Sequence, residues 1–261
     1  MFAQLHTSGK PLLMPNPWDA GSAVMLKAMG FQAFGSTSAG AAYTAGRPEG
    51  TLSLDEMLDA AETLARVSGL PVSADLENGG SDTPEAAAHA IREVGKRGLA
   101  GASIEDCAPG VATYPMALSI ARVEAAVAAA KDTGVVLTAR AEGLQGDAPD
   151  LEDICTRISA FSKAGADVVF APGLTDADMV RAVVKAAGDT PVSVILGAPY
   201  GALTVARLAD LGVARISLGS SLARAAYGGA LTAARNLLEK GSFALPENTY
   251  SFDEIEALLR G

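Results

Sequence analysis

Histidine is almost missing from this sequence: His6 stands near the start and His89 falls inside a stretch that reads as a helix, 84–96. A Ser-His-Asp triad needs an imidazole between nucleophile and acid, and a histidine metal cluster needs several, so both are nearly excluded. Cysteine is as scarce. Cys107 and Cys155 make neither a disulfide framework nor a zinc spacing, which fits a reducing compartment, and each reads as a packed thiol. Positive charge is in deficit, with 20 Lys and Arg against 30 Asp and Glu, a net charge of −10. No basic stripe and no basic-aromatic interleaving occurs, so nucleic acid and acidic membranes are not expected partners. None of the seven lysines ends an apolar run, which argues against a Schiff-base aldolase. Gly-x-Gly-x-x-Gly and P-loop sequences are absent, removing the usual nucleotide readings. No apolar run approaches about eighteen residues and the first ten residues do not resemble a leader, so the expectation is a soluble cytoplasmic protein.

What the chain does contain is alternation. Its 261 residues are 49% hydrophobic, with a mean hydropathy of +0.24. Short Val/Ala/Ile/Leu runs alternate with amphipathic stretches, the pattern of repeated strand-helix units on a parallel sheet. Eight strands are expected, near 12–14, 32–35, 72–75, 102–105, 135–140, 168–171, 192–196 and 215–218. The spacing predicts an α/β fold, a (β/α)₈ TIM-type barrel, as a single domain over 1–261 with 241–261 a C-terminal helical extension. Helix starts are marked by Asp19, by Ser53 with Glu56, by Thr83 before Pro84, and by Thr175-Asp176. Left-handed helix stops are expected at Gly30, Gly69, Gly134, Gly165, Gly188 and Gly212. In the tail, Ser251 opens a capped amphipathic helix.

In such a barrel the residues at the carboxyl ends of the strands share one pocket. In order they are Asn16 and Asp19, the loop Ser36, Thr37, Ser38, Ala39 and Gly40, then Asp75 and Glu77, Glu105 and Asp106, Arg140 and Glu142, Gly197, and Gly219 to Ser221. Several carboxylates in one basket repel one another unless a cation lies between them, and all-oxygen ligation suits Mg²⁺ or Mn²⁺. Any single acid is as well explained as a helix cap or a solvated loop residue; Asp75 and Glu105 together are not, since each directly ends an apolar run. Arg140 suits a carboxylate substrate, or a structural ion pair to Glu142 or Glu105. The 36–40 loop offers hydroxyls and amides as an anion cradle. A metal chelated by a 2-oxo acid polarises its carbonyl and stabilises the enolate formed when a bond at C3 breaks.

The chain resembles the isocitrate lyase and phosphoenolpyruvate mutase superfamily. The resemblance runs through Pro15-Asn-Pro-Trp-Asp-Ala-Gly-Ser-Ala23, Gly35-Ser-Thr-Ser-Ala-Gly40, Gly46-Arg-Pro-Glu49, Pro71-Val-Ser-Ala-Asp-Leu-Glu-Asn-Gly79, Gly101-Ala-Ser-Ile-Glu-Asp106, Thr138-Ala-Arg140 and Ala164-Gly-Ala-Asp167. It implies a barrel that exchanges its last helix with a neighbour in a homodimer or homotetramer, and Mg²⁺ chelated by a small 2-oxo acid. It implies Asp75 as direct metal ligand, Glu77 and Glu105 as acids holding the metal through water, and Glu49 at a pocket position usually occupied by Asp. It also implies Arg140 as the substrate-binding arginine and Ser38, Ala39 and Gly40 as amides for the substrate carboxylate, beside Ser36. Lyases of this group carry a Lys-Lys-Cys-Gly-His loop; here the segment 107–115 is shorter and lacks it. Cys107 reads as a packed residue, and Tyr114 as a proton donor, a pocket-closing residue or a packing tyrosine.

The expected function is thus an Mg²⁺-dependent enzyme cleaving a C–C bond beside a small 2-oxo or 2-hydroxy acid, such as an oxaloacetate-type decarboxylase, hydrolase or lyase. Arg140, Glu105 and Tyr114 are its candidate catalytic residues. The alternatives are a phosphonopyruvate mutase or hydrolase, with Arg47 as an added cation, and a non-catalytic barrel that binds metal and acid.

Overall fold

The computed structural model describes residues 2–110, 112–145, 149–196 and 203–260. Eight strands form one parallel sheet: β1 (Leu12–Met14), β2 (Phe34–Gly35), β3 (Val72–Asp75), β4 (Gly101–Glu105), β5 (Val136–Arg140), β6 (Val168–Phe170), β7 (Val192–Ile195) and β8 (Arg215–Ser217). The helices are α1 (Ala20–Ala28), α2 (Ser38–Thr44), α3 (Leu54–Ser68), α4 (Pro84–Lys96), α5 (Met116–Thr133), α6 (Leu151–Ala164), α7 (Ala177–Ala187), α8 (Val205–Asp210), α9 (Ser221–Lys240) and α10 (Phe252–Arg260). The strand order β1-β8-β7-β6-β5-β4-β3-β2 makes a nearly closed (β/α)₈ barrel.

The seam between β1 and β2 has no ladder; side chain and turn close it instead. Gly35 N–H donates to the Pro15 carbonyl at 3.1 Å, and Asn16 Nδ2 donates to the Ser36 carbonyl at 2.8 Å. Asn16 Oδ1 in turn accepts from the amides of Leu218 and Gly219 at 2.9 and 2.8 Å, so one asparagine ties β1 to both neighbours. A Cβ on Gly35 would lie 2.8 Å from Asn16 Nδ2, which is why glycine stands there.

The helix signals act as their chemistry requires. Asp19, Ser53, Thr83 and Asp176 cap α1, α3, α4 and α7, and the reciprocal box of Ser53 and Glu56 is complete. Gly69, Gly134 and Gly165 end their helices in the left-handed conformation, and Gly30 and Gly212 take positive φ one residue beyond the cap. Gly188 differs: its ψ of −123° takes it out of that region. The expected loop at 36–40 is also different, since Thr37 caps α2 and the chain becomes helical at Ser38.

Phe34, Leu58, Ile91, Leu137, Ile154 and Phe161 are among the apolar side chains fully buried in the large cluster that joins strands and helices. Each stabilises the fold by about 1.5–3 kcal/mol before entropy is counted. Alternate residues of β5 share a face, so Val136, Thr138 and Arg140 present in turn an apolar group, a hydroxyl and a cation. Val136 belongs to a separate cluster with Phe2, Leu12, Met14 and Val168. Buried Ser73, Ser103, Thr138, Ser193, Arg215 and Ser217 make the strands' inner register unusually polar for a fold normally filled by branched apolar side chains.

Beyond β8 the packing thins. α9 buries only Ala223, and Leu231, Leu238, Phe243 and Phe252 are 64, 87, 86 and 77% exposed. The expected tail helix is present as α10, capped by Ser251 and Glu254, and it packs on α1. Among the described residues no helix is long and apolar enough to cross a membrane.

Candidate active site

A cavity of about 280 Å³ opens among the carboxyl ends of the strands, lined by Asn16, Ser36, Ala39, Glu49, Asp75, Glu105, Arg140, Phe170, Arg215 and Arg224, among others. Arg140 is its centre. Nη1 lies 2.9 Å from Asp75, Nη2 lies 3.0 Å from Glu105, and Nε donates to Glu142 at 2.7 Å. The guanidinium also stacks over Phe170, 4.8 Å from the ring centre. Burial opposes the charge on Arg140, but Glu105, Glu142 and Asp75 outweigh it and raise the arginine well above its ordinary value. Glu105 is raised as well, first by burial and then by Glu142, Asp75 and Glu77, with Arg140 opposing. Three acidic side chains thus share one guanidinium.

The structure brings Asp75, Glu105 and Arg140 together as the sequence predicts. Asp75 is held on every side: Oδ2 accepts from the backbone and hydroxyl of Ser38, both at 3.1 Å, and Oδ1 accepts from Ser103 at 3.2 Å. Its own amide donates to Ser36 Oγ at 2.8 Å. Ser36 and Ser38, expected to bind the substrate, therefore hold Asp75 instead: Ser38 its carboxylate and Ser36 its backbone amide.

This changes the cradle predicted at 36–40. The Ser38 amide is spent on Asp75, and the Gly40 amide donates to Thr37 Oγ1 at 3.2 Å because a helix N-terminus consumes its own cap. Ser38 and Gly40 do not line the cavity; Ala39 does. Glu77 has left-handed backbone, φ 51°, which turns its carboxylate toward the amide of Gly50 at 3.2 Å. Burial, then Asp75, raise its pKa. Glu49 stands at the cavity wall.

Tyr114 is placed outside the cavity. Its hydroxyl donates to Asp82 and accepts from Asn78 Nδ2 at 3.0 Å, and its ring lies under Arg122, so it fastens the loop after β3 rather than facing a substrate. Cys107 Sγ lies 3.9 Å from Glu105, and burial followed by that carboxylate pushes the thiol up to about 12, which fits the packed role. Asp106 turns away as well: it accepts from the Glu142 amide at 2.9 Å and from Arg157 at 3.0 Å, and so supports Glu142 from behind. Asp19 is a helix cap, Arg47 pairs with Glu56 at 2.5 Å, and Gly197 lies outside the described residues.

Two cavity residues carried no sequence signal. Arg215 begins β8 inside an apolar run, and Arg224 lies near the start of α9. Only the closed barrel shows that both line the pocket, and Arg224 makes no side-chain hydrogen bond or ion pair within the described residues.

Fold and site together define a (β/α)₈ barrel that gathers acids around a single arginine at the carboxyl ends of its strands. The chain belongs to the phosphoenolpyruvate phosphomutase family, whose sequence profile matches residues 2–238, and so to the isocitrate lyase and phosphoenolpyruvate mutase superfamily. A solved Burkholderia cenocepacia structure, provisionally described as a lyase/mutase, is 42% identical with a TM-score of 0.94, covering 100% of this chain and 95% of that one. An uncharacterised Mycobacterium tuberculosis protein is 34% identical over 222 residues, 84% of this chain and 81% of that protein. The 2-methylisocitrate lyase of Shewanella oneidensis is 31% identical over 190 residues, 69% of this chain and 64% of the lyase.

Proposed function

We propose that the protein is an Mg²⁺-dependent enzyme that cleaves a C–C bond beside the carbonyl of a small 2-oxo acid, most simply by decarboxylating an oxaloacetate-type substrate. One observation carries this: the carboxyl groups of Asp75, Glu105 and Glu142 all meet at Arg140, at the carboxyl ends of the strands. Among the described residues no three acids form a ready metal cage. The donor chemistry nonetheless fits a hard divalent ion, because carboxylate oxygens surround a place now filled by a guanidinium. Asp75 would hold the ion, with Glu77 and Glu105 around it; Mn²⁺ is the other candidate. When bound, the ion supplies positive charge opposite the 2-oxo oxygen as electrons move onto it.

The chain's own residues do the rest. Arg140 exchanges one of its carboxylate partners for the substrate carboxylate, while Glu142, fixed by the Asp106 acceptor behind it, keeps the guanidinium oriented. Phe170 packs against the other face of that contact and excludes water from it. As the C3–C4 bond breaks, its electron pair passes to the 2-oxo group and CO₂ leaves; a proton then returns to C3. With Cys107 unreactive and Tyr114 turned away, that proton comes from water at the cavity mouth.

Arg224 and Arg215 favour one second reading. A phosphonate at C3 needs added positive charge, which Arg47 does not supply and these two residues do, so P–C chemistry on phosphonopyruvate is the alternative. Purified protein with Mg²⁺, assayed against 2-oxo acids, 2-hydroxy tricarboxylates and phosphonopyruvate with EDTA controls, separates them. Pyruvate and CO₂ from oxaloacetate support the first; phosphate or phosphoenolpyruvate by ³¹P NMR supports the second. EDTA-insensitive silence across the panel, with Mg²⁺-dependent oxalate binding, would leave only a binding barrel.

A further inference from the structure

Arg215 is 3% exposed, and it has no acidic partner among the described residues. Its Nε donates to Ser193 Oγ at 2.8 Å, Nη2 donates to Thr138 Oγ1 at 3.0 Å, and Nη1 meets His6 Nε2 at 3.3 Å. Those three partners are neutral. A guanidinium cannot accept, so His6 Nε2 is the acceptor, and Nδ1 carries the proton that meets the Phe2 carbonyl at 3.2 Å. Burial, and then the like charge of Arg140, disfavour the charge on Arg215. A guanidinium has five N–H donors, so two remain.

A buried cation without a counter-charge costs several kcal/mol, and that cost is removed if an anion reaches it. Arg215 is not sealed off, because it lines the same cavity as Arg140. Ser73, also on the cavity wall and 4% exposed, has a hydroxyl that makes no hydrogen bond among the described residues. A buried cation with no acidic partner and an unused hydroxyl donor thus line one cavity, while its acids Asp75 and Glu105 are committed to Arg140 and Glu49 stands at its wall.

We propose that Arg215 and Ser73 form a second anion subsite on the cavity wall, one that takes a carboxylate group. The subsite takes its charge complement from the ligand, and Ser193, Thr138 and His6 hold the guanidinium in place for it. Its existence does not depend on the proposed reaction; only the identity of its occupant does.

Formate, without metal, is the probe. In ¹⁵N-arginine-labelled full-length protein, the Arg215 Nε–H resonance, assigned by its loss in Arg215→Lys, is expected to shift saturably, with a Kd on the order of millimolar. Ser73→Ala should weaken binding about threefold and Arg215→Gln at least about tenfold, the scale of one charge-assisted hydrogen bond. A formate-insensitive Arg215 resonance in the wild-type protein overturns the subsite, whether or not Arg215→Gln folds. Unchanged affinity in a folded Arg215→Gln does the same. If Mg²⁺ and oxalate displace formate competitively, the subsite holds a carboxylate of the substrate; if both bind together, it holds a free small anion beside the substrate. Failure of oxalate to bind removes the proposed reaction and leaves the formate result standing, and the converse also holds.

Discussion

Asp75 and Arg140 are mutually dependent, and their removal has opposite expected consequences. Asp75→Ala leaves Arg140 paired with Glu105 and Glu142, so no charge is stranded and the melting temperature should move by only a few degrees. Its Mg²⁺ affinity and its activity should fall, the latter by about 10²–10³-fold, as when one preorganised electrostatic group is removed. Unchanged Mg²⁺ affinity by calorimetry would contradict the ligand assignment. Arg140→Gln instead removes the buried cation that Asp75 and Glu105 share, and breaking those ion pairs should cost about 3–5 kcal/mol. Added Mg²⁺ should restore more stability to Arg140→Gln than to the wild type in thermal melts. An equal response would show that the ion does not replace the guanidinium. At this scale the sequence was informative wherever a charged side chain directly ends an apolar run, as for Asp75, Glu105 and Arg140. It was silent on Arg215 and Arg224, because a cation within a strand or a helix start is ambiguous until the barrel closes around it. Tyr114 was misplaced for a related reason: its neighbours Asn78 and Asp82 come from the loop after a different strand.

At the scale of elements, the N-terminal segment is coupled to the barrel interior by His6. Burial, then Arg215, lower this histidine from 6.5 to about 4. Between those values the unfolded chain binds a proton that the folded chain does not. The His6 contribution is therefore fully present above about pH 6.5 and is lost as pH falls toward about 4 and below, on the order of 3 kcal/mol in all. Urea denaturation at pH 7 and pH 5 should show a smaller loss of stability for His6→Gln than for the wild type; identical losses would place the histidine's titration elsewhere. Capping chemistry was legible here because it is local: Ser53 and Glu56, or Thr83 and Pro84, act within one turn. The helix at Ser38 was not, since its first amide is satisfied by a tertiary partner, the carboxylate of Asp75.

The whole molecule leaves its last elements unfinished. α9, the segment after it and the first residue of α10 expose the large apolar side chains Leu231, Leu238, Phe243 and Phe252, and exposed apolar surface of this kind marks interaction sites when it is contiguous. We expect a homodimer or homotetramer in which these residues pack on a second copy; the tail helix α10, expected to be exchanged, instead packs on α1 of its own chain. Sedimentation equilibrium should give a mass of two or four chains, and Leu238→Asp with Phe243→Ser should shift it to one. A wild-type monomer at micromolar concentration would refute the expectation.

The sequence by itself determined the eight strand-helix units, because hydrophobic periodicity and helix caps act over a few residues. It also determined that acids and one arginine emerge at strand ends, since a strand end follows directly from where an apolar run stops. Only the tertiary structure decided which of those groups meet. Arg140 reaches Asp75 across 65 residues of chain and Arg215 reaches His6 across 209, and such contacts follow from closure of the barrel. The two acid clusters were visible in the chain; the guanidinium at their centre and the uncompensated one on the same cavity's wall emerged only from the fold.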